Sequence, residues 1–156
     1  MNSINVNDIE LGEVQIGVGH KPFIIAEVSC NHNGSLDKAL EIVDAAAKTG
    51  AVAVKFQTYT AETMTLDYDK DEFFIKDPDS LWGGFSLYKL YEEAHTPWDW
   101  HKALFDRARH NGLIPFSSPF DATAVDFLEK ECQPALYKVA SFELVDIPLV
   151  KKIAAT

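Results

Sequence analysis

The 156-residue chain is 47% hydrophobic, enough for one domain with a packed core. Twenty-four acidic against fourteen basic side chains give a net charge of -10, which opposes binding to nucleic acid or an anionic membrane and favours a small-molecule partner. The start has neither a basic nor an apolar leader region and no apolar run nears the roughly 18 residues of a membrane span, so a cytoplasmic protein is expected.

In chain order, Val14, Ile16 and Val18 alternate weakly before Gly19-His20-Lys21-Pro22, which predicts a short hairpin or plug outside the main repeat. Four short apolar runs follow: Ile24 to Glu27, Val52 to Gln57, Leu113 to Ser118 and Leu136 to Ser141. Each is succeeded by a helix-like stretch, so the pattern is βα repeated four times, with polar groups gathered where strands end. In parallel α/β folds that edge binds ligands.

The first helix reads from Leu36, Ala39, Leu40, Val43 and Ala47 on one face, entered through the Asn33-Gly34 turn and stopped by Gly50. Thr58 to His95 is far too long for a βα loop of about 2–6 residues, so local helix is expected there, serving as a lid or contact surface. Thr96 is the expected N-cap of the next helix, with Pro97 at its first position and Trp100, Ala103, Leu104 and Ala108 as its apolar face up to Gly112. Asp121 caps a third helix through Ala124, Val125 and Leu128, and Asp146 with Pro148 opens a fourth through Leu149, Val150 and Ile153. Four βα units are half of an eightfold barrel, which takes about 250 residues, so a fragment is expected; a complete four-stranded open sheet is the rival. Cys30 and Cys132 have no metal-ligand or CxxC spacing and are expected as reduced thiols.

Alternate strand residues share a face, so Lys55 lies with Gln57, and Ile25 with Glu27. A lysine in a buried apolar strand is costly unless it meets an anion. For Lys55 and Lys138 two readings stand: an internal ion pair with Glu27 or Glu143, or a clamp for phosphate or carboxylate, which the presence of two such lysines favours. Ser117-Ser118 before the Asp121 cap sets two hydroxyls where an oxyanion could bind, against a reading as plain turn chemistry, and Ser141 with Glu143 repeats the arrangement. Asn31-His32-Asn33 offers amide and imidazole donors to a ligand, or forms a turn with His32 exposed. No histidine pair has the spacing of a zinc helix. The aromatics Trp82, Tyr88, Tyr91, Trp98 and Trp100 read as packing more than as a sugar platform.

Four stretches in this order resemble the N-terminal half of the sialic acid (nonulosonate) synthase family: Phe23 to Glu27 with Asn31-His32-Asn33-Gly34, Ala53 to Thr58, Phe116 to Asp121, and Tyr137 to Glu143. Tyr59 to Leu66, the Ser86 to Lys102 segment and Phe142 before Glu143 resemble its pseudaminic acid synthase branch; N-acetylneuraminate synthases usually carry glycine where Phe142 stands. The resemblance implies the N-terminal half of a (β/α)8 TIM barrel, with four βα units over 1–156 and a long insertion after the second strand. By the same resemblance, the remaining strands and a C-terminal antifreeze-like domain are expected outside this chain.

The implied activity is condensation of phosphoenolpyruvate with an open-chain acetamido sugar to a nine-carbon product, pseudaminic or N-acetylneuraminic acid, with release of phosphate. Carbon 3 of the enol attacks the sugar aldehyde, water adds at carbon 2, and C–O cleavage expels phosphate. By position, Lys55, Ser118, Lys138 and Ser141 hold phosphoenolpyruvate, and Glu27 and Glu143 face the sugar. Glu27, Lys55 and Lys138 are the catalytic candidates, Glu27 also handling the water proton, while Gln57 and Asn33 are further substrate candidates. The resemblance implies a divalent manganese or magnesium ion held by residues outside this chain, a homodimer at full length, and an inactive fragment. Alternatives are a non-catalytic half-barrel that assembles with a second copy to cover its sheet edges, and a related condensing enzyme for a phosphorylated sugar, which the absence of a further basic cluster disfavours.

Overall fold

In the computed structural model, which describes residues 8–156, a three-stranded parallel sheet is backed by helices on one face. Ahead of it, β1 (Ile9–Leu11) and β2 (Val14–Ile16) form an antiparallel hairpin. The expected hairpin is therefore present, while Val18 lies beyond it and is exposed.

The sheet runs in the order β3 (Ile25–Glu27), β4 (Ala53–Thr58), β5 (Ile114–Pro119). In register, Glu27 sits beside Lys55 and Lys55 beside Phe116, while Phe56 sits beside Ser117 and Gln57 beside Ser118. Because side chains alternate, Val54, Phe56 and Thr58 face the helices and Lys55 and Gln57 face the other way.

Between β3 and β4 lies α1 (Leu36–Ala47), whose N-cap is Ser35: its hydroxyl accepts from the Lys38 N–H at 3.3 Å. Asn33 and Gly34, both in the left-handed region, turn the chain into that cap. Between β4 and β5, α4 (Trp98–His110) ends in a Schellman motif: the Leu113 N–H donates to the Ala108 carbonyl at 2.9 Å and the Gly112 N–H to that of Arg109 at 3.0 Å. Val43 and Ala46 of α1 join Leu104, Phe105 and Ala108 of α4 over Val54 and Phe56, with Phe56 stacked on Phe105 at 5.4 Å. Asp44 ties the two helices, accepting from Arg107 at 2.9 Å and from Asn111 at 2.7 Å.

Two details of α4 differ from expectation. Its N-cap is Pro97, one residue past Thr96, whose side chain is buried against His32 instead. Ala103 is exposed, and His101 and Phe105 take the inward positions, because the apolar stripe runs through 101, 104, 105 and 108. The long segment after β4 does contain local helix, α2 (Ala61–Met64) and α3 (Leu87–Ala94), with a short 3-10 turn at Asp71–Phe73. Tyr59 anchors it, edge-on to Tyr91 at 5.8 Å and to Phe120 at 5.4 Å.

After β5, Asp121 caps α5 (Ala122–Phe127), and Asp146 caps α6 (Ile147–Ile153) through the Leu149 N–H, both as the sequence predicts. The fourth strand is the correction. Leu136 to Ser141 forms no strand, and meets the sheet through one parallel bridge, Ser117 to Tyr137, and one bond from the Lys138 N–H to the Ser117 carbonyl at 3.2 Å. Among the described residues the pairing of this segment with β5 does not extend past that bridge.

Candidate functional site

The polar residues collect where β3, β4 and β5 end. Register places Glu27 and Lys55 in one row of the face turned away from the helices, and Gln57 and Ser118 in the next. The Tyr137 bridge to Ser117 and the bond from the Lys138 N–H to the Ser117 carbonyl bring the Lys138 backbone alongside the end of β5. The structure thus gathers Glu27, Lys55, Gln57 and Ser118 on one face at one edge, with the Lys138 backbone beside it.

Lys55 is only 6% exposed, and its Nζ lies 3.5 Å from Glu27 Oε1. An ammonium carries three donors, so one carboxylate at that distance, itself 58% exposed, leaves Lys55 capacity for a second anion. Ser118 is 1% exposed, yet among the described residues its Oγ has no hydrogen-bond partner, and Glu143 Oε2 is likewise shut from solvent without one. Buried polar atoms in folded proteins are nearly always paired, so the unpaired Ser118 hydroxyl on this face marks a place where a ligand atom would be expected.

The remaining sequence-predicted residues lie apart from that face. Ser141 is exposed at the entry to the 3-10 turn Phe142–Val145 that carries Glu143. Asn33 is exposed and lines a cleft of about 550 Å³ between the first βα loop, with Cys30, Asn31 and Gly34, and the insertion, with Leu81 and Trp82.

Ser117 does not join Ser118. It faces the helices, 2.7 Å from the Thr58 hydroxyl, which in turn lies 2.8 Å from His101 Nε2. The pairing of two hydroxyls on one oxyanion therefore fails, because consecutive strand residues point to opposite faces. Burial pushes the His101 imidazole down to about 4, so it is neutral at ordinary pH. His32 fits neither sequence reading: it is buried, its Nδ1 accepts from the Gly34 N–H at 3.1 Å, and its ring meets Trp100 edge-on at 5.5 Å. Burial, with His95 adding repulsion, lowers its pKa. Strand parity puts Thr58 and Ser117 on the helix side and the stripe 101, 104, 105 and 108 turns His101 inward, whereas nothing local in the sequence marks His32 as buried. Among the described residues no three His, Cys, Asp or Glu side chains are grouped to hold a metal ion, and no helix is long and apolar enough to cross a membrane.

Comparison with known proteins adds three findings. The profile of the NeuB family matches residues 42–156. The pseudaminic acid synthase of Campylobacter jejuni serotype O:2 is 50% identical over 134 residues, 86% of this chain and 38% of that protein; the pseudaminic acid synthase of Helicobacter pylori is 47% identical over 135 residues, 86% of this chain and 39% of that protein. The crystal structure of N-acetylneuraminic acid (sialic acid) synthetase from Leptospira borgpetersenii superposes with a TM-score of 0.76 at 28% identity, covering 96% of this chain and 46% of that one. The chain spans about 38% of the length of the Campylobacter relative.

Proposed function

The chain belongs to the NeuB family, and on that premise we propose that it contributes the donor-binding part of an enzyme that condenses phosphoenolpyruvate with an open-chain acetamido sugar to a nine-carbon sialic-acid-like sugar. Its three parallel strands, with the Leu136 to Ser141 segment as a rudimentary fourth, are read as the N-terminal half of a (β/α)8 barrel.

Lys55, on the face of Ser118, and Lys138, from the segment bridged to β5, would supply cations to a donor bearing both carboxylate and phosphate, and the Ser118 hydroxyl would bond the same anion. Ser141 would close on the same anion from the adjoining turn. Glu27 and Glu143 would face the sugar. Glu27, already holding Lys55 at 3.5 Å and open to solvent on its other side, is placed to take a proton from the water that adds at carbon 2. Gln57 shares the row of Ser118 and would bond the same ligand; Asn33 would meet the sugar from the loop. The manganese or magnesium ion proposed for the whole enzyme would be held by residues outside this chain, and no step here runs through it. A cytoplasmic homodimer is proposed for the whole enzyme.

The observation that carries this reading is the buried, unpartnered Ser118 hydroxyl on the face that holds Lys55. Isothermal calorimetry with phosphoenolpyruvate should show binding that Lys55→Met weakens about 10- to 100-fold, since a charge-assisted hydrogen bond is worth about 1.5–3 kcal/mol. Phosphate release would then be assayed on the protein expressed from its own gene, with phosphoenolpyruvate, a diacetamido-trideoxy sugar and manganese. No donor binding, or no phosphate released, would reject the proposal.

A further inference from the structure

We propose that His101, Thr58 and Ser117 form a hydrogen-bonded chain that positions Ser118 and Lys138 without itself touching ligand; this rests on the donor-binding reading above. The direction of the chain follows from its far end. His101 Nδ1 lies 3.2 Å from the Pro97 carbonyl, which can only accept, so Nδ1 carries the ring proton and Nε2 is left as an acceptor. The Thr58 hydroxyl must then donate to Nε2 at 2.8 Å, and its oxygen receives the Ser117 proton at 2.7 Å. Burial keeps this imidazole neutral, so one ring nitrogen is free to accept.

All three residues are completely buried, and they join three elements: α4, the end of β4 and the end of β5. Ser117 is also where the Lys138 segment is fastened. Its side chain closes the hydrogen-bonded chain on the helix side while its carbonyl accepts from the Lys138 N–H at 3.2 Å. The next residue, Ser118, turns its free hydroxyl to the opposite face. Fixing Ser117 therefore fixes both the ligand-facing hydroxyl that follows it and the backbone from which Lys138 projects. The Lys138 segment is held to the sheet by a single bridge among the described residues, and Tyr137 anchors it further through its hydroxyl, which donates to Glu129, and by packing against the core.

The test separates positioning from mere stability. Nitrogen-15 NMR of the wild-type chain should show the His101 ring proton on Nδ1; a proton on Nε2 would overturn the proposed direction. Thr58→Val keeps the shape and removes both bonds. It should weaken phosphoenolpyruvate binding about 5- to 30-fold by calorimetry, as expected for about 1–2 kcal/mol of lost positioning. Thr58→Ser should restore binding to within about twofold by retaining the hydroxyl. Unaltered affinity in Thr58→Val, or no rescue in Thr58→Ser, overturns the inference. Should Thr58→Val fail to fold, Ser117→Ala, which leaves the Thr58 to His101 bond intact, takes its place with the same direction of effect. If the wild-type chain binds no phosphoenolpyruvate, the donor-binding reading fails by itself. The positioning chain is then judged by hydrogen exchange at the Lys138 amide, which Ser117→Ala should accelerate about tenfold with α1 amides unchanged; an unchanged Lys138 rate overturns it.

Discussion

Acid should unfold this protein partly through one buried imidazole. His101 is fully enclosed, and burial pushes it down to about 4 from an ordinary value of 6.5. In the unfolded chain the same ring takes up a proton near 6.5, so between about pH 6.5 and 4 the unfolded state binds more protons than the folded one, and stability falls as the pH falls. At about 1.4 kcal/mol per pH unit, a drop from 6.5 to about 4 removes about 3 kcal/mol, a large part of the roughly 5–15 kcal/mol that holds a domain together. His32, lowered by its own burial, adds in the same direction. The two are separated by His101→Gln, whose amide can still accept from Thr58 and donate to Pro97 but does not titrate. Urea unfolding followed by circular dichroism at pH 7, 6, 5 and 4.5 should show a steep loss of stability in the wild type and a shallower one in His101→Gln. Parallel slopes for the two proteins would refute the assignment of this acid sensitivity to His101.

Ser117 and Ser118, adjacent in sequence, should respond oppositely to alanine. Ser117→Ala breaks a fully buried hydrogen bond and should cost about 1–2 kcal/mol in chemical denaturation, whereas Ser118→Ala removes a hydroxyl with no partner and should leave stability unchanged or slightly raised while phosphoenolpyruvate binding falls. The two thiols should separate in the same way. Cys30 is exposed and should react with a thiol reagent at once in the native protein, while Cys132, buried and pushed up to about 11, should react only on unfolding. Two equivalents reacting rapidly under native conditions would contradict the burial.

What the sequence disclosed was whatever has a local cause. The helix stops at Gly50 and Gly112, the caps at Asp121 and Asp146 and the period-3.6 stripe of α1 are short-range signals, and all fall where expected. Lys55 was legible for a related reason: a lysine inside an apolar strand is unusual enough to be noticed alone. The fourth strand was misjudged because Leu136 to Ser141 has the composition of a strand, while forming one depends on neighbours that composition does not contain. The buried pairings of His32 and His101 were not legible because a neutral imidazole with both nitrogens paired packs like an aromatic ring, and its partners at Thr96 and Thr58 are tens of residues distant.

The two faces of this small sheet divide their chemistry unequally. On the helix side, Thr58, Ser117 and His101 satisfy one another at 2.7 and 2.8 Å with no solvent access, so that face is closed and gains from being so. On the other side, Ser118 Oγ is unpaired, and Lys55 has a single carboxylate at 3.5 Å. A fold selected for stability alone would pair or replace such groups, because each buried polar atom left unsatisfied costs about 1–3 kcal/mol. That cost becomes useful only when an incoming anion supplies the missing partners, since the unmet interactions are then formed on binding and not before. The alternation of one strand, β5, is what allows consecutive serines to serve these two ends, one holding the strand in place and the other left free for the ligand.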